Sequence, residues 1–123
     1  MSKTKTIAVW VICVLLAALF AFAGLPKVMG DPRAVEGFAK AGYPGWFLLF
    51  IGAAELSGAV GLLIPRLRFW AASGLFIIMI GAVTTHVRAG DSPDKVAPAA
   101  TALVLTALVA WLSRPQRLRS THA

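Results

Sequence analysis

Thiols, imidazoles and acids are scarce in this chain, and each shortage closes off a chemistry. Its 123 residues include one cysteine, two histidines and five acidic side chains. A lone Cys13 permits neither an internal disulfide nor dithiol exchange. Two widely spaced histidines and a single thiol do not make a transition-metal site, so no metal is expected. Charged residues are 14% of the chain against 59% hydrophobic. A soluble domain of this size could not hide so much apolar surface, so lipid is the expected solvent.

The few charges are lopsided, with twelve basic residues against five acidic ones and a net charge of +7. Such a balance can mark nucleic-acid binding, but here the basic residues flank apolar segments and form no binding face. Nucleic acid is therefore not an expected partner. The apolar residues gather into four runs, at 7–25, 46–64, 69–87 and 96–112. The second is 19 residues long, which as helix measures roughly 29 Å and crosses a bilayer core. Pro98 lies near the start of the fourth run, where proline is best tolerated. Pro65 closes the second, and Arg66-Leu67-Arg68 makes a very short turn into the third, so those two runs are antiparallel neighbours. The expected fold is all-α, a single domain over 1–123 built as an antiparallel bundle of four transmembrane helices.

Four crossings place both ends and the 65–68 turn on one side. That side holds Lys3, Lys5, Arg66, Arg68, Arg114, Arg117 and Arg119 with no acid. The other holds Lys27, Arg33, Lys40, Arg88 and Lys95 against Asp31, Glu36, Asp91 and Asp94. Basic loops stay cytoplasmic, so both termini are expected inside a multi-pass protein. Lys3, Lys5 and the Ala21-Phe22-Ala23 stretch also imitate a secretory signal peptide. The apolar run is long for that purpose and has no polar segment before the cleavage point, so a retained first helix is expected.

Between the first two crossings, Asp31-Pro32 reads as an N-cap followed by proline at the first helical position. Gly42 supplies a stop. Val35, Phe38 and Ala39 share a face, which predicts a short amphipathic interfacial helix over 32–41. Ser92-Pro93 starts the fourth helix by the same device. Gly-Asp-(Ser)-Pro thus follows both the first and third helices, a weak sign of a duplicated hairpin.

Glu55 lies near the middle of the second run. A carboxylate at that depth costs about 2.5–3.5 kcal/mol on insertion scales and needs a partner. Gly52, Gly58 and Ala59 fall on its helix face, so it is expected to point into the bundle where backbones approach closely. Gly74, Gly81, Ala82 and Thr85 predict a similar surface on the third helix. Lys27 follows the first helix and can bend back toward the core. His86 ends the third helix and Tyr43 precedes the second at the same level. Lys27, Glu55 and His86 form the candidate polar cluster, with Tyr43 and Thr85 in support. The tryptophans near run ends fit an aromatic belt without a cofactor.

Ala23-Gly24-Leu25-Pro26-Lys27, the stretch from Gly52 to Leu63, and Gly81-Ala82-Val83-Thr84-Thr85-His86 occur in the order found in the DoxX-like family of small bacterial membrane proteins. The chain resembles that family from about Ile7 to Leu112. The resemblance implies a four-helix bundle in the bacterial cytoplasmic (inner) membrane, with Lys27, Glu55 and His86 at the family's polar positions. Members are linked to a thiosulfate:quinone oxidoreductase, to redox-stress enzymes, or to cargo-receptor and assembly roles. Two readings follow: a quinone-linked redox subunit, in which any enzymatic role would be that of a membrane oxidoreductase subunit, or a non-catalytic partner or assembly factor. A small-solute or proton carrier using Glu55 is a third. No cofactor is evident in the residues, but an acid, a lysine and a histidine at one end of an apolar bundle would suit a quinone headgroup and the relay of its protons, so quinone is the one cofactor expected if any. The expected partners are the bilayer and a redox enzyme or other membrane protein, with the oligomeric state left open.

Overall fold

Every long run of apolar residues becomes a helix because a backbone in hydrocarbon must satisfy its own hydrogen bonds. A computed structural model describes residues 2–115; Arg117 and Arg119 of the basic tail lie outside them. The order is α1 (Lys3–Val28), α2 (Pro32–Lys40), α3 (Gly45–Leu62), α4 (Arg68–Arg88) and α5 (Pro93–Leu112). All except α2 are long and apolar enough to span a membrane. The spans begin and end within a few residues of the sequence reading. The largest difference is at the ends of α1, which is extended by Ser2, whose hydroxyl accepts from the Lys5 amide at 3.2 Å. Capping of this kind satisfies a donor the helix would leave open.

The spans form a ring. α1 packs on α3, α3 on α4, α4 on α5, and α5 returns to α1, while the diagonal pairs make no backbone contact. Short connections make each neighbour antiparallel. The shared core is Val9, Cys13, Leu16 and Phe20 from α1, Leu62 from α3, Ala72 and Leu75 from α4, and Ala102 and Val109 from α5. Phe22, Trp46, Ile77 and Val104 remain more than half exposed. Large apolar side chains facing outward on all spans are the surface of a protein whose solvent is lipid. The chain is an integral membrane protein.

The two Gly-Asp sequences build the same corner. At the end of α1 the Gly30 amide donates to Lys27 O and the Asp31 amide to Pro26 O; at the end of α4 Gly90 donates to Val87 O and Asp91 to His86 O. Gly30 and Gly90 adopt φ of 73° and 71°, a left-handed conformation that closes a helix and that glycine enters without Cβ strain. Asp31 then caps α2, accepting from the Arg33 amide at 2.8 Å. None of the α2 residues is buried. Ala34 and Phe38, one turn apart, are half-covered, whereas Val35 and Ala39 stay exposed. Phe38 leans on Tyr43 and Phe47, with ring centroids 5.6 and 6.2 Å away.

Gly74 and Gly81 do not form the close-packing surface expected of the third span. A Cβ at either position would meet nothing within 4 Å. α4 instead offers Ala71 and Leu75 to the glycines of α3, Gly61 and Gly58. Small residues on a helix lie against a neighbour only where the ring turns them inward, and here it turns them to lipid.

Candidate functional site

The end of the bundle holding the two corners carries three polar contacts, two of them joining different elements and one closing the corner after α4. In the first, Lys27 Nζ lies 2.6 Å from Glu55 Oε1 and also donates to Ala23 O at 3.1 Å. Glu55 is 2% exposed and Lys27 19%. The pair forms because α1 and α3 almost touch. A Cβ on Gly52 would fall 2.7 Å from Lys27 Cβ, and one on Gly24 would fall 2.8 Å from Gly52 O. With hydrogen atoms at both positions, the lysine stem crosses to α3 and its ammonium reaches a carboxylate one turn deeper. Gly52 and Gly58 are buried on the same face as Glu55, as the spacing predicts. A charge-assisted bond of this length compensates two groups that hydrocarbon would reject singly.

In the second contact the Tyr43 hydroxyl meets Thr85 Oγ1 at 2.7 Å. Thr85 directs its own proton to Gly81 O at 2.8 Å, so Tyr43 is the donor. This ties the segment between α2 and α3 to the far end of α4. Around it Tyr43, Phe47, Trp46 and Phe50 form a chain of rings with neighbouring centroids 5.0 to 6.2 Å apart.

The third contact involves His86, whose Nδ1 lies 2.6 Å from Asp91 Oδ2, both side chains being about one-third exposed. Asp91, which stands in the sequence only as one of the charges on the side opposite the termini, is a site residue that the sequence pattern did not single out. The signal was present: in a corner closed by a left-handed glycine, the residue after the glycine folds back on the one five positions earlier. Phe38 and Tyr43 obey the same spacing around Gly42, which has φ of 85°. His86 has no hydrogen bond to Lys27 or Glu55. Its helix is diagonal to α1 in the ring, and its ring nitrogen is engaged within its own corner.

At the opposite end Arg68 is a second unforeseen residue. It belongs to the basic turn into α4, where water is the usual surrounding, yet it is 6% exposed. Its Nε donates to Leu62 O at 2.8 Å, and its guanidinium lies 4.3 Å over the Trp10 ring. These contacts hold together α1, α3 and α4.

Chemically, Lys27 and Glu55 neutralise each other's charge where Glu55 is almost wholly buried. No match was found among curated proteins or among solved structures. The DoxX-like family matches residues 11–109, most of the chain, taking in α3 and α4 whole and most of α1 and α5. With that match and the four-span architecture, this chain belongs to the DoxX-like family.

Proposed function

We propose that this protein is a non-catalytic membrane partner or assembly factor, held in shape by the Lys27–Glu55 pair. The observation that carries this reading is the closure of Glu55. Its carboxylate is buried, bonded to Lys27, and enclosed by the contact of Gly24 with Gly52. A buried ion pair of this kind orders helices and fixes their register. What the fold leaves available is outside the core: α2 has no buried residue and carries the exposed ion pair Glu36–Lys40, with Trp46 and Phe50 exposed beside it. An interfacial helix rimmed by aromatic residues suits docking to another membrane protein.

The test is photo-crosslinking in native membranes from positions 35, 36 and 39 on α2. A single defined membrane-protein partner is expected, captured equally from position 36 in a chain carrying the double change K27M/E55L. Recovery of no specific partner from any position defeats the reading.

A second reading, a quinone-linked redox subunit, has one observation in its favour. An apolar groove lined by Val14, Ala17, Ala18, Ala21, Leu56 and Val60 runs between α1 and α3, the two helices that hold the pair. A polyisoprenoid tail fits such a surface, with Lys27 as donor to a quinone carbonyl. Quinone retained in lipid extracts of the purified protein, and displaced in Lys27→Met, would favour this reading over the first.

A further inference from the structure

Arg68 stands out by what it lacks. A guanidinium has five N–H donors. Here Nε is used on Leu62 O, one face rests on Trp10, and Nη2 is buried with no acceptor. None of the ion pairs among the described residues involves it. No acid in the sequence is placed to serve: Glu55 is committed to Lys27, and Asp31, Glu36, Asp91 and Asp94 belong to the opposite end of the bundle. Lys3, Lys5 and Arg66 add further positive charge on the Arg68 side. Buried charges are ordinarily compensated and buried donors bonded, so the chemistry of Arg68 calls for an anionic partner.

We propose that Arg68 is the centre of a binding site for one anionic phospholipid of the leaflet facing the α3–α4 turn. Arginine presents a planar fork that fits phosphate oxygens. A lipid phosphate is favoured over free phosphate by the surface that adjoins it. Trp10, which carries the guanidinium, also begins an apolar groove continued by Val11, Val14 and Leu15 along α1. Those residues repeat at one-turn spacing and are all open to the outside, forming a strip that follows the helix into the hydrocarbon. Lys3 lies two turns before Trp10 on the same face, at headgroup height. Phosphate on Arg68, headgroup beside Lys3 and one acyl chain along the strip together make an amphiphile-shaped site.

The experiment uses full-length purified protein, stripped of lipid in detergent. Phosphatidylglycerol and phosphatidylcholine with identical chains are compared by retention in native mass spectrometry and by the rise in Tm on titration. Phosphatidylglycerol is expected to bind at least about fivefold tighter, the worth of one interfacial basic residue. Arg68→Gln abolishes the preference, Arg68→Lys weakens it, and Arg66→Gln, an exposed charge on the same turn, keeps it. Equal binding of the two lipids overturns the proposal, as does equal loss in Arg66→Gln. Inorganic phosphate reproducing the Tm rise would assign a free-anion site instead. Dissociation of a dimer by Arg68→Gln with lipid preference unchanged would assign Arg68 to a second copy. If Arg68→Gln does not fold, the lipid preference of the native chain and of Arg68→Lys decides the matter.

Discussion

Glu55 and Lys27 compensate each other at a depth where hydrocarbon accepts neither alone. Removing one partner leaves the other buried and unpaired, whereas removing both leaves an apolar contact. Glu55→Gln or Lys27→Met is therefore expected to destabilise the bundle by about 3–5 kcal/mol, with K27M/E55L regaining most of it. Unfolding in mixed micelles followed by tryptophan fluorescence provides the measurement; equal loss in the single and double variants would contradict it. The Tyr43–Thr85 bond is a smaller matter. A double-mutant cycle with Tyr43→Phe and Thr85→Val is expected to show coupling of about 0.6 kcal/mol, the average for interhelical bonds in membranes. The Lys27–Glu55 pair was legible in sequence because a charge inside an apolar run must find an opposite charge within reach. The His86–Asp91 contact was less so, since it depends on the path of a corner. Arg68 was not legible at all, because a basic residue at a span end ordinarily turns to water.

At the level of the helices, the glycines divide into two groups that sequence could not separate. Gly24 and Gly52 sit where a Cβ would strike backbone or a lysine stem at 2.7 to 2.8 Å, while Gly74 and Gly81 face open space. Alanine at Gly24 or Gly52 is expected to push α1 from α3, costing about 1–3 kcal/mol. The same change at Gly74 or Gly81 is expected to be neutral or stabilising by up to about 1 kcal/mol through helix propensity. Thermal unfolding of the four variants in one detergent checks both. Similar losses at all four positions would mean that the α1–α3 contact is not the close one. The corner glycines answer to a different cause. Gly90→Ala would hold a Cβ in the left-handed region, at a cost of about 1–2 kcal/mol, and should loosen the His86–Asp91 contact, seen as a shifted histidine resonance.

Taken whole, the molecule is a ring of four membrane spans with acid–base pairing at one end and an unbalanced basic cluster at the other. Reading the basic end as cytoplasmic, a reporter fused to the carboxyl end is expected to be active only as a cytoplasmic enzyme. Activity of a periplasmic reporter at that position would reverse the orientation. The number of spans, their approximate limits, the α2 cap and the inward turn of Glu55 followed from sequence alone. They rest on local physics: apolar length against bilayer thickness, capping chemistry, and the cost of a charge in lipid. The ring order, the choice of Gly24 and Gly52 over Gly74 and Gly81 as contact points, the pairing of His86 with Asp91, and the burial of Arg68 against Trp10 came only from tertiary structure. Each depends on which helix faces which, and an apolar run does not encode that when every face of it is equally at ease in hydrocarbon.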